Sequence, residues 1–205
     1  SQDERVISIA KQCYEVLSNR GIKVLIDKSL SKLRSKDLSI SSPNYLISKS
    51  NLLIAIGGDG TMLNCSRNYG SRGIPILGIN LGNLGFLADI DPKDITSSLL
   101  RVIDGQFTED KRFFLEGCVL GNKDKFLALN EVVVHSGKVA QLIEFNLFID
   151  DKFVYRQKAD GLIISSPTGS TAYSLSGGGP IVHPEVNTIL LVSMLPHNLS
   201  TSPLL

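Results

Sequence analysis

The chain has 205 residues, of which 42% are hydrophobic and 20% charged, with a net charge of +1. That is enough apolar material for one large domain or two small ones with real cores, and the near-neutral balance offers no basic face to a nucleic acid. No apolar run approaches the roughly twenty residues of a membrane span and no secretory leader opens the sequence, so a soluble protein of the cytoplasm is expected, with no membrane partner.

Val6, Ala10, Cys13 and Leu17 recur at helical spacing, and Gly21 sits where a helix C-cap glycine belongs. Residues 22–26 then read as a strand, and residues 28–42, rich in serine and lysine without a period, as a loop or surface helix. The apolar run 52–56 predicts a buried strand that stops at Gly57-Gly58-Asp59-Gly60-Thr61. Three glycines so close leave room for a ligand against bare amides, and a helix predicted over 62–69 would turn its N-terminus toward a bound anion. A carboxylate in such a place repels phosphate unless it has chemical work to do there. An Asp-Gly hairpin turn is the alternative, but residues 62–67 do not alternate as a second strand would.

Gly73-Ile74-Pro75 introduces another strand over 76–79, giving the strand and helix alternation of an α/β layer with a mostly parallel sheet. Both glycine segments, 57–60 and 78–85, follow strands, where ligands of such sheets bind. Asp91-Pro92 starts a helix whose buried stripe is Ile95, Leu99, Val102 and Ile103, ending at Gly105. The domain boundary is expected there, with an α/β domain over residues 1–105. Beyond it the texture changes to strands at short intervals, 112–120, 126–134, 142–149, 153–157 and 162–165, with hairpins at Gly121-Asn122 and Asp150-Asp151. Residues 106–205 therefore read as a β-rich sandwich domain, closing with a strand over 188–195. With no long linker, the halves are expected to pack about a cleft.

Cys13, Cys65 and Cys118 are widely spaced and odd in number, which fits reduced thiols. The three histidines make no ligand spacing with them, so no resident metal site is expected.

Four motifs together resemble the NAD kinases of bacteria: Gly57 to Thr61, Gly-Ile-Asn-Leu-Gly-Asn-Leu-Gly-Phe-Leu at 78–87, Asn130-Glu131, and Ser-Pro-Thr-Gly-Ser-Thr-Ala-Tyr at 166–173. The resemblance implies the NAD kinase-like fold and transfer of the ATP γ-phosphoryl group to the 2′-hydroxyl of the adenosine ribose of NAD, giving NADP and ADP. It also implies Mg²⁺ or another divalent cation with ATP, and a homodimer or homotetramer. Family members extend beyond this chain at both ends, so the resemblance implies a trimmed sandwich.

Asp59 would be the catalytic base, with Gly58, Gly60 and Thr61 about it and Asn83, Gly85 and Phe86, together with Gly82, lining the crevice floor; Phe86 reads equally well as core. Asn130 and Glu131 match the pair that holds adenosine, although on their own they read better as a hairpin pair. Asp160 matches a position near the nicotinamide side, although on its own it reads as an ordinary Asp-Gly turn, and Lys158 beside it, with Thr168 and Ser170 of the hydroxyl-rich turn, is assigned to dinucleotide binding, while Thr171, Ala172, Tyr173 and Ser176 are placed at the adenine and ribose. Gln141 stands where relatives often carry Arg or His, Leu81 where they often carry a basic residue, and Ser202 where Arg is usual, so three cations are missing around a polyanion. Gly177-Gly178-Gly179 is taken as supporting structure. The nearest alternatives are a lipid kinase of the diacylglycerol or sphingosine type, whose glycine-aspartate turn is shared, and a dinucleotide-binding sensor without catalysis.

Overall fold

The computed structural model of the chain describes residues 4–31, 33, 40–82, 85–138, 141–197 and 203–205. They fall into two compact units, Ser1–Glu109 and Asp110–Leu205.

In the first unit, α1 (Glu4–Ser18) buries Ile9 and Cys13, and Gly21 takes the positive φ of a helix-ending glycine at +70°. The following strand is shorter than its sequence suggests: β1 (Ile26–Asp27) pairs in parallel with β2 (Ile40–Ser41) over two residues, and a ladder runs no longer than its partner. Next comes α2 (Pro43–Lys49), absent from the sequence reading. Its signal was nonetheless local, since the Ser42 hydroxyl accepts from the Tyr45 amide and Pro43 occupies the first turn.

The apolar runs 53–56 and 76–79 become β3 (Leu53–Ile56) and β4 (Ile76–Ile79), parallel and in register from Leu53 opposite Ile76 to Ile56 opposite Ile79. Between them runs α3 (Asp59–Tyr69). A 3-10 turn over Pro92–Asp94 leads into α4 (Ile95–Ile103), whose Ile95 and Leu99 join Ile9, Cys13 and Ile79 in one core. Burial also pushes the Cys13 thiol up to about 11, so it behaves as an inert core residue. Leu81, the position lacking a cation, packs against this core instead.

In the second unit, β5 (Leu115–Cys118) and β6 (Lys125–Ala128) form a hairpin. The continuous strand expected over 126–134 is in fact two. It breaks at Leu129-Asn130, and β7 (Glu131–His135) leaves β6's sheet to pair with a different partner. A second hairpin joins β8 (Ile143–Ile149) to β9 (Lys152–Ala159), and Asp150 and Asp151 both take positive φ in its turn. Then β10 (Gly161–Ser165) sits between β7 and β11 (Leu190–Met194) in an antiparallel sheet around Ile163, Leu190 and Val192. Beyond it, Leu204 exchanges both backbone hydrogen bonds with Leu191. A 3-10 turn over Thr168–Thr171 and the short α5 (Tyr173–Ser176) follow β10.

Candidate active site

The first cluster of predicted residues starts where β3 ends. The Gly57 amide donates to the Ile79 carbonyl at 2.9 Å, and at its φ of +156° a Cβ would lie 2.3 Å from Thr61 Oγ1. Gly57 is the glycine here whose backbone no other residue replaces without strain. Gly58 caps α3 with an ordinary φ of −91° and Gly60 lies in its first turn; a Cβ on either would find nothing within 4 Å. Of the three glycines, Gly57 alone takes a positive φ. The other two glycines leave bare surface.

Asp59 is the first residue of α3, at the positive end of the helix dipole. Its Oδ2 accepts from the Phe86 amide at 3.0 Å and its Oδ1 from the Leu87 amide at 3.1 Å. A Cβ on Gly85 would come within 2.2 Å of Oδ1, so only a bare glycine lets the loop close over the carboxylate. These two amides serve Asp59. The carboxylate is half-buried, and each oxygen keeps a second lone pair for an incoming hydroxyl. Phe86 is 68% exposed, which excludes the core alternative. Asn83 and Ser202 lie outside the described residues.

The second cluster is fastened to the break between β6 and β7. Ser166 donates its amide to the Asn130 carbonyl at 2.8 Å and its hydroxyl to the Leu129 carbonyl, and the Ser165 hydroxyl adds a bond to the Asn130 carbonyl at 3.3 Å. Glu131 is thereby held opposite Ser165 in the ladder of β7 and β10. Asn130 Oδ1 and Glu131 Oε2, on consecutive residues, are both buried acceptors with no hydrogen-bond partner among the described residues.

The hydroxyls of the turn divide between two jobs. Thr168 is 8% exposed and accepts from Arg112 Nη1 at 3.3 Å. Ser170, expected on the ligand, is instead fully buried; its hydroxyl donates to the Val182 carbonyl at 3.3 Å and accepts from the Val182 amide at 3.1 Å. It ties the turn to the following loop. Thr171 and Ala172 are half-buried, and Tyr173 (44% exposed) and Ser176 are open to solvent. Gly178 takes a φ of +86° after α5, and a Cβ on Gly179 would meet Ser174 Oγ at 2.5 Å, so the glycine run is structural. Lys158 is exposed on β9, Asp160 half-buried in the turn to β10, and Gln141 exposed before β8. The sequence reading missed Arg112, for no local spacing links it to a turn more than fifty residues away.

Burial raises the Glu131 carboxyl above the usual range for glutamate, and a hydrogen bond from the Tyr173 amide offsets only part of that. A raised folded-state value means that Glu131 favours folding below its unfolded pKa and that this contribution is lost as pH climbs through the folded value. At neutral pH the ionised, half-orphaned carboxylate therefore costs stability. Glu131→Gln is expected to raise Tm at neutral pH and to flatten its pH dependence above the carboxylate range, which thermal scans across pH read.

The first unit presents a carboxylate at the start of α3 and the second carries buried acceptors beside a hydroxyl-rich turn, and the family and relatives that the chain matches are phosphotransferases whose acceptor is an alcohol. The chain belongs to the NAD kinase family: residues 1–107 match the ATP-NAD kinase N-terminal domain and residues 129–205 the ATP-NAD kinase C-terminal domain. That family phosphorylates NAD to NADP at the expense of ATP. The NAD kinase of Teredinibacter turnerae is 46% identical over 198 residues, covering 95% of this chain and 68% of the relative. That of Wigglesworthia glossinidia brevipalpis is 46% identical over 201 residues, with 97% and 68% covered. Among solved structures, yeast NADH kinase complexed with NADH superposes with a TM-score of 0.88 at 30% identity, covering 97% of this chain and 64% of that one. An NAD kinase from Archaeoglobus fulgidus in complex with ATP gives 0.76 at 28% identity, with 95% and 71% covered. The chain thus spans about two thirds of the length of its relatives.

Proposed function

We propose that Asp59 is the general base of this reaction and that Asn130, Glu131 and the turn from Thr168 to Tyr173 hold the adenosine half of NAD. The observation that carries the reading is the orphaned pair, Asn130 Oδ1 and Glu131 Oε2. Adenosine supplies what they lack: an exocyclic amine and ribose hydroxyls, all donors. A diacylglycerol has one hydroxyl and two acyl chains, and would leave one acceptor unpaired at a cost of about 1–3 kcal/mol.

Asp59 takes the proton of the ribose 2′-hydroxyl as that oxygen bonds to the γ-phosphorus of ATP and the bond from phosphorus to the bridging oxygen breaks. ADP leaves and the proton stays on the carboxylate. The amides of Phe86 and Leu87 hold both carboxylate oxygens in place before the substrate arrives. This favours the base by orientation.

Among the described residues, no group of three or more His, Cys, Asp or Glu side chains is placed to hold a metal ion. The divalent cation is read as part of the substrate, arriving with ATP. The Walker pattern Gly-x-x-x-x-Gly-Lys-Ser/Thr is absent from the sequence, so no lysine of that kind supports the phosphates. Gly58, Gly60 and Thr61 are read as the surface over which ribose and phosphate approach, with Gly85 keeping the 85–87 loop close to the base. Asp160 is assigned to the nicotinamide side and Lys158 and Gln141 to dinucleotide binding by analogy with the family, as are a homodimeric or homotetrameric state and a cytoplasmic location. No helix among the described residues is long and apolar enough to cross a membrane.

The test is ADP release from ATP and Mg²⁺ with a panel of acceptors: NAD, NADH, diacylglycerol and a sugar phosphate. Release that depends on a dinucleotide supports the reading. Release driven by lipid or sugar, or tight NAD binding without turnover, contradicts it.

A further inference from the structure

Arg112 stands in the irregular segment between α4 and β5, with its side chain only 20% exposed. Its Nε donates to Asp110 Oδ2 at 2.9 Å and its Nη2 donates to the same oxygen, which fixes the plane of the guanidinium. With that plane fixed, Nη1 reaches Thr168 Oγ1 at 3.3 Å, at the first residue of the dinucleotide turn.

The consequence lies in the polarity of the Thr168 hydroxyl. A hydroxyl carries one hydrogen and two lone pairs, whereas a guanidinium has donors only. Because Arg112 takes a lone pair, the Thr168 hydrogen is left to point elsewhere, and it meets no acceptor among the described residues. We propose that Arg112, braced by Asp110, is a positioning residue for the nucleotide site. It presets Thr168 as a hydrogen-bond donor to an acceptor atom of NAD, a ribose or phosphate oxygen or a ring nitrogen. This rests on the reading that the turn binds NAD. The pairing also divides the labour of the site: Asn130 and Glu131 receive hydrogen bonds from the ligand, and Thr168 gives one.

Lysine is a poor substitute in such a role, since it keeps the charge but lacks the planar fork that engages Asp110 and Thr168 together. The experiment uses wild type, Arg112→Gln, Arg112→Lys, Thr168→Val, Asp110→Asn and the double variant Arg112→Gln/Thr168→Val. Each is measured for kcat, for KM toward NAD, for NAD affinity by calorimetry and for Tm. Arg112→Gln and Thr168→Val are each expected to raise KM and Kd for NAD by about tenfold, the size of one lost charge-assisted hydrogen bond, with kcat changed less than about threefold. The double variant is expected to be no worse than the worse single one, because both remove the same interaction. Asp110→Asn, at a half-exposed position, gives a smaller change in the same direction and keeps the inference testable should Arg112→Gln fold poorly.

Additive effects in the double variant, full rescue by lysine, or a lowered Tm with unchanged KM and Kd would each overturn the proposal; the last would make Arg112 an ordinary structural residue. A wild-type protein that neither binds nor phosphorylates NAD would instead overturn the functional reading, and this inference with it.

Discussion

Asp59→Asn is expected to lower NAD phosphorylation by about 10² to 10⁴-fold, the usual value of a general base, while NAD affinity changes less than about threefold. The ribose hydroxyl is a weak nucleophile at neutral pH, and an amide takes no proton from it. The substitution is nearly isosteric, yet it is not silent in the apo protein. Both carboxylate oxygens accept backbone amides, from Phe86 and Leu87. Asparagine keeps one acceptor and turns an NH₂ toward the other amide, so two donors face each other. A stability loss of about 1–3 kcal/mol should accompany the loss of rate. Initial rates, a calorimetric NAD titration and a denaturant midpoint on the same variant separate the two effects. Turnover within a few-fold of wild type would mean that the proton goes elsewhere.

Gly169→Ala should be the most damaging small substitution in the second unit. The added Cβ would sit 2.3 Å from the Asn130 carbonyl oxygen and 2.5 Å from Ser165 Oγ. Neither can retreat freely, since that carbonyl already accepts the Ser166 amide at 2.8 Å and the Ser165 hydroxyl at 3.3 Å. Overpacking of this kind costs about 1–3 kcal/mol, and here the strain falls on the segment that aims Asn130 and Glu131. A lower denaturant midpoint and weaker NAD binding are therefore expected together. Gly60→Ala provides the contrast. A Cβ there meets nothing within 4 Å and lies inside a helix, so it should stabilise the protein by about 0.5–1 kcal/mol while slowing catalysis if the sugar passes over that surface.

These two glycines show what the sequence made legible and what it hid. The runs 53–56 and 76–79 announce their strands because a buried parallel pair is apolar throughout. The stripe Ile95, Leu99 announces α4 in the same way, since periodicity is a local property. The break at Leu129-Asn130 is not local. Residues 126–134 carry a continuous strand pattern, and the interruption is imposed by Ser165 and Ser166, some 35 positions later, which claim the carbonyls of Leu129 and Asn130. Arg112 was hidden for the same reason, its partner Thr168 being 56 positions away. Ser170 shows the reverse error. A hydroxyl inside a ligand-like motif suggested ligand contact, yet burial gives it to Val182. Asp59 was found from its chemical incongruity among glycines, whereas the amides that hold it came only with the fold of residues 85–87.

If Asp59 deprotonates one particular hydroxyl, removing that hydroxyl must silence the enzyme without preventing binding. The decisive comparison is therefore ADP formation with NAD against NAD whose adenosine ribose carries hydrogen at the 2′ position, each binding measured separately. The predicted result is a 2′-phosphorylated product from NAD, and from the deoxy analogue no ADP above the background of ATP alone despite detectable binding. Equal ADP release from both, or phosphate found on any other hydroxyl, would contradict the account.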